Sequence, residues 1–550
     1  MILAIIGFRF RESYAVWMGM GGFKVVLTSD RATMTDYSGF GGLGFVLCLP
    51  SRLFSKFFAY HFLAPPIKTD VDGRALLAPL PLRKLESSLL EYGFSEEEIA
   101  ITTPENLAKT VKEETRVVGI HVLDPMGLAP VSHTLSAFTG GGETYTKTMF
   151  LEFIYRLLNL KQKYGFKVVA GGPGTWQLKG VFRSLGIDHL FHGEGEAVFP
   201  QICQALVEGE SLPEEIEGKT VPEEKIPLIR GPTRGGVVQI TRGCPRRCQF
   251  CNPTMFKFRS IPLDNILREV EVNVRSGGSQ ISLATEDGFL YGARGIEINR
   301  DAVRRLIREV SKLTPNVGFC HVSISSIVQA PDLVQYFSET LGYSQENPYL
   351  PQVGLETGSI RLIAKYMSGK PRPWKPSDWP NLVVEASQIM NEWGWYPCYT
   401  LIVGLPGEED KDVFQTLELV DRLKHVKCWL FPLLMVPMGG SLMENEKFYQ
   451  LKSFNEARWE LLYKCLSHSL TFSKHIYRKM VSDIKSILAR YLVQKFFEYG
   501  IELIEGSLEG LKKDPIKILN TVSTVNFQHN LIGQLAYLKE MVKIFIIGRS

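Results

Sequence analysis

The chain of 550 residues is too long for one ordinary domain, and its 45% hydrophobic and 22% charged residues exclude wholesale disorder. Its 62 basic and 58 acidic residues give a net charge of +4, which favours neither a nucleic-acid partner nor an acidic tail. No apolar stretch approaches the roughly 18–20 residues of a membrane helix, so the sequence predicts a cytoplasmic protein without a transmembrane segment.

Alternating strand-like and helix-like stretches characterise the first part of the chain. Strand-like LysValValLeu at 24–27 opens the series, so we expect residues 1–22 to be an extension ahead of a first domain at 23–210. Strands separated by helices predict a doubly wound, flavodoxin- or Rossmann-like parallel sheet, whose ligands bind beyond the carboxyl ends of the strands. Further strands are predicted at 116–122 and 167–172, and helices at 82–93 and 150–164.

Residues 211–235 contain four prolines and many charges without a period, which predicts a linker. A second alternating series over 236–443 predicts a partial parallel barrel of five or six strand–helix units. The remaining residues, 444–550, are predicted to be helical and contain no readable motif. The predicted barrel strands are 237–241, 280–284, 317–324, 351–355, 398–403 and 429–436, and the predicted helices include 262–276, 301–312 and 378–393.

Three of the nine cysteines, Cys244, Cys248 and Cys251, lie within eight positions directly after the first predicted barrel strand. A zinc site needs four ligands, usually from two knuckles, and the sequence has no second knuckle. A disulfide would leave one thiol spare and is disfavoured in the cytoplasm. Three thiolates on one short loop can instead bind three irons of a [4Fe–4S] cluster and leave the fourth iron open.

The CxxxCxxC spacing, with the aromatic Phe250 before the last cysteine, resembles the radical S-adenosylmethionine (SAM) superfamily. The resemblance implies that Cys244, Cys248 and Cys251 are the catalytic cluster ligands. It also implies that SAM chelates the open iron and is cleaved to a 5′-deoxyadenosyl radical, which abstracts hydrogen from the substrate. Further SAM contacts are expected where short motifs match the family: Glu286 and Asp287 in AlaThrGluAspGly, Glu356 in ValGlyLeuGluThrGlySer, and Gly404 and Pro406 in LeuIleValGlyLeuProGlyGlu.

The first domain resembles the cobalamin-binding module that precedes the barrel in B12-dependent members of that superfamily. Glycine-rich loops at strand ends let the backbone approach a flat macrocycle closely. The Asp-x-His-x-x-Gly motif, whose histidine ligates cobalt from below, is absent, so the resemblance assigns no lower ligand. The residues expected to bind the corrin are Asp124, Gly127, Gly171, Gly172, Gly193 and Glu194.

These features predict a cobalamin-dependent radical SAM methyltransferase that acts on an unactivated carbon of a small-molecule, lipid or peptide substrate. A low-potential electron donor such as ferredoxin or flavodoxin is the expected partner. One alternative is a radical SAM enzyme that cyclises or rearranges its substrate without methyl transfer, for example an archaeal membrane lipid, which the phenylalanines at 53–58 would suit. The other is a non-catalytic corrinoid or iron–sulfur sensor.

Overall fold

The computed structural model describes residues 22–278, 280–484 and 486–515, together with residues 517, 520 and 523. Apart from Gly22, the predicted extension at 1–22 lies outside the described residues. Most of the chain beyond 515 also lies outside them, so the predicted helical region at 444–550 is described only in part.

A six-stranded parallel sheet forms the centre of the N-terminal part. Its strands are β1 (Val25–Ser29), β2 (Ile99–Ile101), β3 (Val117–His121), β4 (Lys167–Gly171), β5 (His189–His192) and β6 (Glu215–Glu217). Their spatial order is β2-β1-β3-β4-β5-β6, so the chain reverses its direction across the sheet between β1 and β3. In such sheets, ligands bind in the crevice beyond the carboxyl ends of the strands at this reversal.

Helices cover both faces of this sheet, which confirms the predicted doubly wound architecture. The helices are α1 (Leu43–Leu47), α2 (Lys56–Phe58), α3 (Leu80–Tyr92), α4 (Leu107–Thr110), α5 (Pro130–Phe138), α6 (Tyr145–Tyr164) and α7 (Phe199–Val207). Leucines of α3 and apolar residues of α7 pack on one face, and phenylalanines of α6 pack on the other. Helix α3 ends at Gly93, which has a φ of 126°. Glycine adopts this backbone angle readily, whereas other residues would be strained there.

Strand β6 lies inside the segment 211–235, which the sequence predicts to be a linker. It pairs with β5 in parallel, so the first sheet extends past residue 210. Only the central residue of β6, Ile216, is buried, and glutamates flank it on both sides. Such a short, charged edge strand has no period that sequence reading could detect.

Six further parallel strands form the barrel, as two three-stranded sheets in the orders β11-β10-β7 and β12-β13-β14. In chain order, and with the separate pair β8 and β9 included, the strands of this part are β7 (Val237–Gln239), β8 (Thr241–Arg242), β9 (Arg259–Ser260), β10 (Ile281–Ala284), β11 (Val317–Phe319), β12 (Gln352–Glu356), β13 (Cys398–Val403) and β14 (Trp429–Leu434). A parallel bridge between His321 and Gln352 joins the two sheets, and β8 and β9 form a separate antiparallel pair. The predicted partial barrel is thereby confirmed.

The barrel helices alternate with these strands, and two long helices follow them. They are α8 (Leu263–Arg275), α9 (Arg300–Ser311), α10 (Ile324–Gln329), α11 (Pro331–Leu341), α12 (Ile360–Tyr366), α13 (Trp379–Glu392), α14 (Asp410–Arg422), α15 (Glu456–Met480) and α16 (Ile487–Lys513). Helix α16 returns to the N-terminal part, where Leu492 and Val493 join a core cluster with Phe54 and Phe58. Within the described ranges, none of the helices combines the length and the apolar character that a membrane crossing requires.

Candidate active site

The three clustered cysteines lie on one loop at the carboxyl end of β7, between the paired strands β8 and β9. Cys248 is buried, whereas Cys244 and Cys251 are half-buried. Arg247 turns the loop between them with a φ of 55°, a left-handed conformation that non-glycine residues rarely adopt. The Thr254 hydroxyl donates to the carbonyls of Cys248 and Cys251, at 3.1 and 2.8 Å, and so fixes the end of the loop.

The electrostatics of this loop suit thiolates that bind metal. Burial raises the pKa of Cys244 to about 12, and nearby Arg246 opposes this rise. Burial also raises the pKa of Cys248, and Lys370 opposes it. The thiolate is the metal-binding form of cysteine, but burial disfavours its negative charge. The irons of a bound cluster would supply the positive charge that stabilises buried thiolates. In the described part of the chain, no three His, Cys, Asp or Glu side chains are arranged to bind a single metal ion.

A buried network centred on Asp287 holds the cysteine loop against the barrel. Arg246 Nη2 donates to Asp287 Oδ2 at 3.0 Å, and the Ser326 hydroxyl donates to the same oxygen at 2.7 Å. The Ser323 hydroxyl is a further donor to that oxygen. The other oxygen, Oδ1, is buried and has no hydrogen-bond partner among the described residues. Asp287 thus has one oxygen committed to the loop and one free acceptor, which fits the ammonium group of a bound SAM.

Glu286, the neighbour of Asp287, is exposed. It lies close enough to Cys251 to act on it, because after burial the charge of Glu286 is the next cause of the raised pKa of that thiol. The structure therefore brings both predicted residues of the β10 end to the cysteine loop, in different environments.

Glu356 ends β12 in a β-bulge, with a φ of 66°. Its carboxylate accepts a hydrogen bond from the Lys370 ammonium, and both side chains are buried. The carboxylate folds back over Gly354, where a Cβ would come within 2.0 Å of it. The charges of Lys370 and Glu356 both act on Cys248, with opposite effects on its pKa, so this pair lies beside the cysteine loop.

Sequence reasoning missed Arg246 and Lys370, the two buried cations of the site. Arg246 also donates to the Lys370 carbonyl at 3.0 Å, which ties the cysteine loop to the segment after α12. A signal for Arg246 existed, because a basic residue between metal-binding cysteines is placed to offset thiolate charge. The sequence around Lys370 offers no comparable signal.

The Gly404–Pro406 turn at the end of β13 is closely packed. Gly404 has a φ of 88°, and a Cβ there would lie 2.0 Å from the Tyr449 ring. The Tyr366 hydroxyl donates to the Pro406 carbonyl at 2.6 Å. Tyr449 accepts a hydrogen bond at its carbonyl from His133 of α5, at 3.0 Å, if His133 carries its proton on Nε2. Contact between this turn and the adenine of SAM stays a prediction.

The predicted corrin-binding loops meet at the carboxyl edge of the N-terminal sheet. Asp124 accepts hydrogen bonds from the Ala129 amide at 2.9 Å and from Gln177 at 2.8 Å, so it shapes its own loop. Gly127 packs against Thr144, and Gly172 packs against His121, each too closely for a Cβ. Gly171 ends β4 in the same edge.

Glu194 makes ion pairs with the barrel part of the chain, and its predicted contact with a corrin stays a prediction. Its carboxylate is buried between Arg242 and Arg259, which belong to the strands flanking the cysteine loop. It also accepts from the Val221 amide at 3.1 Å. Burial raises its pKa, but the two arginines lower it below the usual value overall. Glu194 thus links the two parts of the chain, while the adjacent Gly193, with a φ of 81°, forms the turn.

The two parts also meet at Gly439. Asn252, which follows the last cysteine, donates to the Gly439 carbonyl at 2.9 Å. On the N-terminal side Trp176, just after the β4 loop, packs so closely that a Cβ on Gly439 would lie 2.1 Å from it. The carboxyl edge of the first sheet and the cysteine loop therefore adjoin the same short segment.

An open parallel barrel with three loop cysteines after its first strand is the arrangement that the predicted resemblance to the radical SAM superfamily implies. The family model of the radical SAM superfamily matches residues 238–420, which include the cysteine loop and the strands β10 to β13. The resemblance predicted from the cysteines is confirmed, and with it the expectation of a [4Fe–4S] cluster and SAM as cofactors.

Curated relatives match about half of the chain. A putative methylthiotransferase of Methanocaldococcus jannaschii is 27% identical over 290 residues, 49% of this chain and 60% of that protein. The ribosomal protein uS12 methylthiotransferase RimO of Thermotoga maritima is 25% identical over 295 residues, 51% of this chain and 63% of that protein. The chain thus spans about 60% of the length of the curated relatives it matches.

One solved structure shares the fold over most of the chain. It is the radical SAM methyltransferase TsrM from Kitasatospora setae, with tryptophan substrate and a SAM analogue bound. The TM-score is 0.50 at 16% identity, and the alignment covers 76% of this chain and 75% of that one. The likeness supports the two-part architecture of the chain.

Proposed function

We propose that this chain is a cobalamin-dependent radical SAM methyltransferase that acts on an unactivated carbon. The observation that carries the proposal is the junction at Gly439, where the cysteine loop and the carboxyl edge of the N-terminal sheet converge through Asn252 and Trp176. Radical generation and methyl donation have to occur beside one substrate carbon, and this junction brings the two candidate cofactor sites together.

In this proposal, the residues on the barrel side hold the cluster and orient SAM. Cys244, Cys248 and Cys251 would bind the cluster, and Asp287 Oδ1 would accept the SAM ammonium. Arg246 and Lys370 offset the negative charge of the buried thiolates, and the Glu356 partner keeps Lys370 in position. When bound, the cluster, SAM and the corrin supply a 5′-deoxyadenosyl radical and a transferable methyl group.

Features of the N-terminal edge support a flat, largely apolar ligand. Gly172 and Gly174 leave no room for a side chain at the end of β4, so this edge is formed by backbone. Leu123 beside them is 49% exposed, although large apolar side chains are mostly buried in this part of the chain. The predicted corrin contacts are part of this proposal, at Asp124, Gly127, Gly171, Gly172, Gly193 and Glu194.

Anaerobic reconstitution with iron, sulfide and hydroxocobalamin tests the proposal. We expect about four irons per chain, as one cubane cluster requires, together with one cobalt and SAM cleavage to 5′-deoxyadenosine. Four irons without cobalt would remove the methyltransferase assignment and leave a radical SAM enzyme. A protein that binds both metals but never cleaves SAM would favour the sensor alternative.

Methyl transfer and ring closure differ in the product mass. A methylated product gains one CH₂ unit, whereas a cyclised product loses two hydrogens. The phenylalanine-rich stretch that suggested a lipid substrate is mostly internal, because Phe54 and Phe58 are buried against α16 and only Phe57 is exposed. The stretch therefore gives no preference for a lipid, and the proposed substrate is a small molecule, a lipid or a peptide. The proposed electron donor is a low-potential ferredoxin or flavodoxin.

A further inference from the structure

A group of exposed cations, which we call the cationic face, adjoins the cysteine loop on the side of α12. Its members are Arg247 of the loop, Lys365 in the last turn of α12, and Arg372 and Lys375 in the segment that follows. None of the four makes an ion pair among the described residues. Their charges are therefore free to act on a partner.

Hydrogen bonds from the cysteine loop hold the segment with these cations against it. Gln249 Nε2 donates to the Lys365 carbonyl at 3.0 Å, and the Gln249 amide donates to the Tyr366 carbonyl at 2.9 Å. Arg246 Nη1 donates to the Arg372 carbonyl at 3.3 Å. These contacts involve backbone carbonyls, so the side chains of Lys365 and Arg372 remain available at the surface.

The loop sends its two consecutive arginines to opposite sides. Arg246 is buried and pairs with Asp287, whereas Arg247 is exposed. Arg247 lies between Cys244 and Cys248 in the chain, and Cys244 is itself half-buried. The cationic face therefore offers a short path between solvent and the cluster that the loop would bind.

Cations elsewhere on the barrel surface have acidic partners. On α9, Arg300 and Arg304 share the Asp332 carboxylate, and on α15 Lys464 pairs with Asp421. Such pairs cancel most of their own field, whereas unpaired charges of one sign attract a partner of the opposite sign and orient its approach. The cationic face thus fits the acidic surface of another molecule.

We infer that the cationic face is the docking surface for a small acidic protein that carries one electron. The inference rests on the proposed function, because it assumes a cluster on the cysteine loop. On docking, the carrier loses one electron and the cluster gains it, and no atom is transferred. An RNA fits less well, because the net charge of the chain is only +4 and nucleic-acid binding takes a strongly basic surface.

Binding of flavodoxin, an acidic one-electron carrier, to the reconstituted protein tests the inference. We expect Lys365→Glu combined with Arg372→Glu to weaken this binding by about tenfold at low salt. The affinity of the unmodified chain should fall as added salt screens the charges. Lys163→Glu combined with Lys424→Glu is the control, because it reverses two exposed charges before β4 and β14, at the amino ends of the two parallel sheets. The control should bind flavodoxin like the unmodified chain.

Two further measurements separate docking from the chemistry at the cluster. Dithionite is a small reductant that needs no docking surface, so it should support SAM cleavage equally in the Lys365→Glu, Arg372→Glu variant and the unmodified chain. Flavodoxin should support it in the unmodified chain and much more slowly in that variant. Carbodiimide cross-linking of the unmodified complex needs no variant, and it should join flavodoxin carboxylates to Lys365 or Lys375.

The outcomes distinguish the inference from the proposed function. Equal flavodoxin affinity in the cationic-face variant and the control would overturn the docking surface and leave the methyltransferase proposal intact, as would cross-links found only elsewhere. An RNA oligonucleotide whose binding is lost in the variant while flavodoxin binding persists would assign the surface to RNA. Flavodoxin that binds here, in a protein that never cleaves SAM with either reductant, would overturn the proposed function instead.

Discussion

The cysteine loop of the barrel and the carboxyl edge of the N-terminal sheet adjoin the same segment around Gly439, but they are built differently. The loop is held by charged side chains, with Arg246 on Asp287 and Lys370 on Glu356. The edge is formed by glycine turns that leave no room for side chains at Gly127, Gly172 and Gly174. Charges fixed before a reaction need no rearrangement during it, whereas a flat ligand needs close backbone approach. The loop therefore suits a reaction that needs fixed charges, whereas the edge suits the binding of a flat ligand.

The largest effect is expected from Cys248→Ala, which removes one thiolate of the loop. We expect it to lose most of the bound iron and to abolish SAM cleavage, while cobalt binding at the N-terminal edge persists. Iron and cobalt per chain and 5′-deoxyadenosine formation measure this. Cys398→Ala, outside the loop, is the matched control and should keep the iron. An intact iron content in Cys248→Ala would refute the assignment of the loop.

Arg246→Met tests whether the loop depends on its buried ion pair. The change leaves the Asp287 carboxylate buried and uncompensated, which should lower the free energy of unfolding by about 3–5 kcal/mol. Adding Asp287→Asn to the variant should recover part of that loss. Arg300→Met removes an exposed pair with Asp332 and should cost less than about 1 kcal/mol. Urea unfolding measures the free energy of unfolding of all three variants. Equal losses in Arg246→Met and Arg300→Met would contradict the dependence of the loop on its buried ion pair.

Glu194→Gln tests the link between the two regions. The change removes the charge shared by Arg242 and Arg259, so we expect stability to fall by about 1.5–3 kcal/mol. Limited proteolysis should also become faster in the connecting segment 218–236. Glu215→Gln, which removes only an exposed contact with His192, is the control and should behave like the unmodified chain. Unchanged proteolysis in Glu194→Gln would mean that the link rests on other contacts.

The smallest expected effect is a pH dependence of stability that comes from Glu408 on the barrel side. Burial raises the pKa of Glu408 from 4.5 to about 7, although Arg458 opposes it. The folded chain therefore holds this proton more tightly than the unfolded chain, and stability falls as the pH rises from about 4.5 to 7. The loss should be on the order of 2 kcal/mol. Glu408→Gln should remove this component, so the stability difference between the two proteins should change with pH over that window. A constant difference would contradict the raised pKa.

Sequence reasoning predicted the features that depend on local pattern. Strands β1, β3 and β4, the six barrel strands and the CxxxCxxC loop are periodic or closely spaced, so they were visible. Sequence reasoning missed strands β2, β5 and β6, and in β6 three residues with one buried side chain form no pattern. It also missed the Glu194 contacts with Arg242 and Arg259, because those partners lie about 50 and 65 positions away.

The sequence alone indicated a doubly wound sheet followed by a partial barrel, since hydrophobic period is a local property of the chain, and its cysteine spacing carried the resemblance to the radical SAM superfamily. Only the tertiary structure decided which charges meet and which group stays unpaired. It paired Arg246 with Asp287 across 41 positions and left Asp287 Oδ1 buried without a hydrogen-bond partner among the described residues. Pairing across such distances depends on chain topology, which no local pattern encodes.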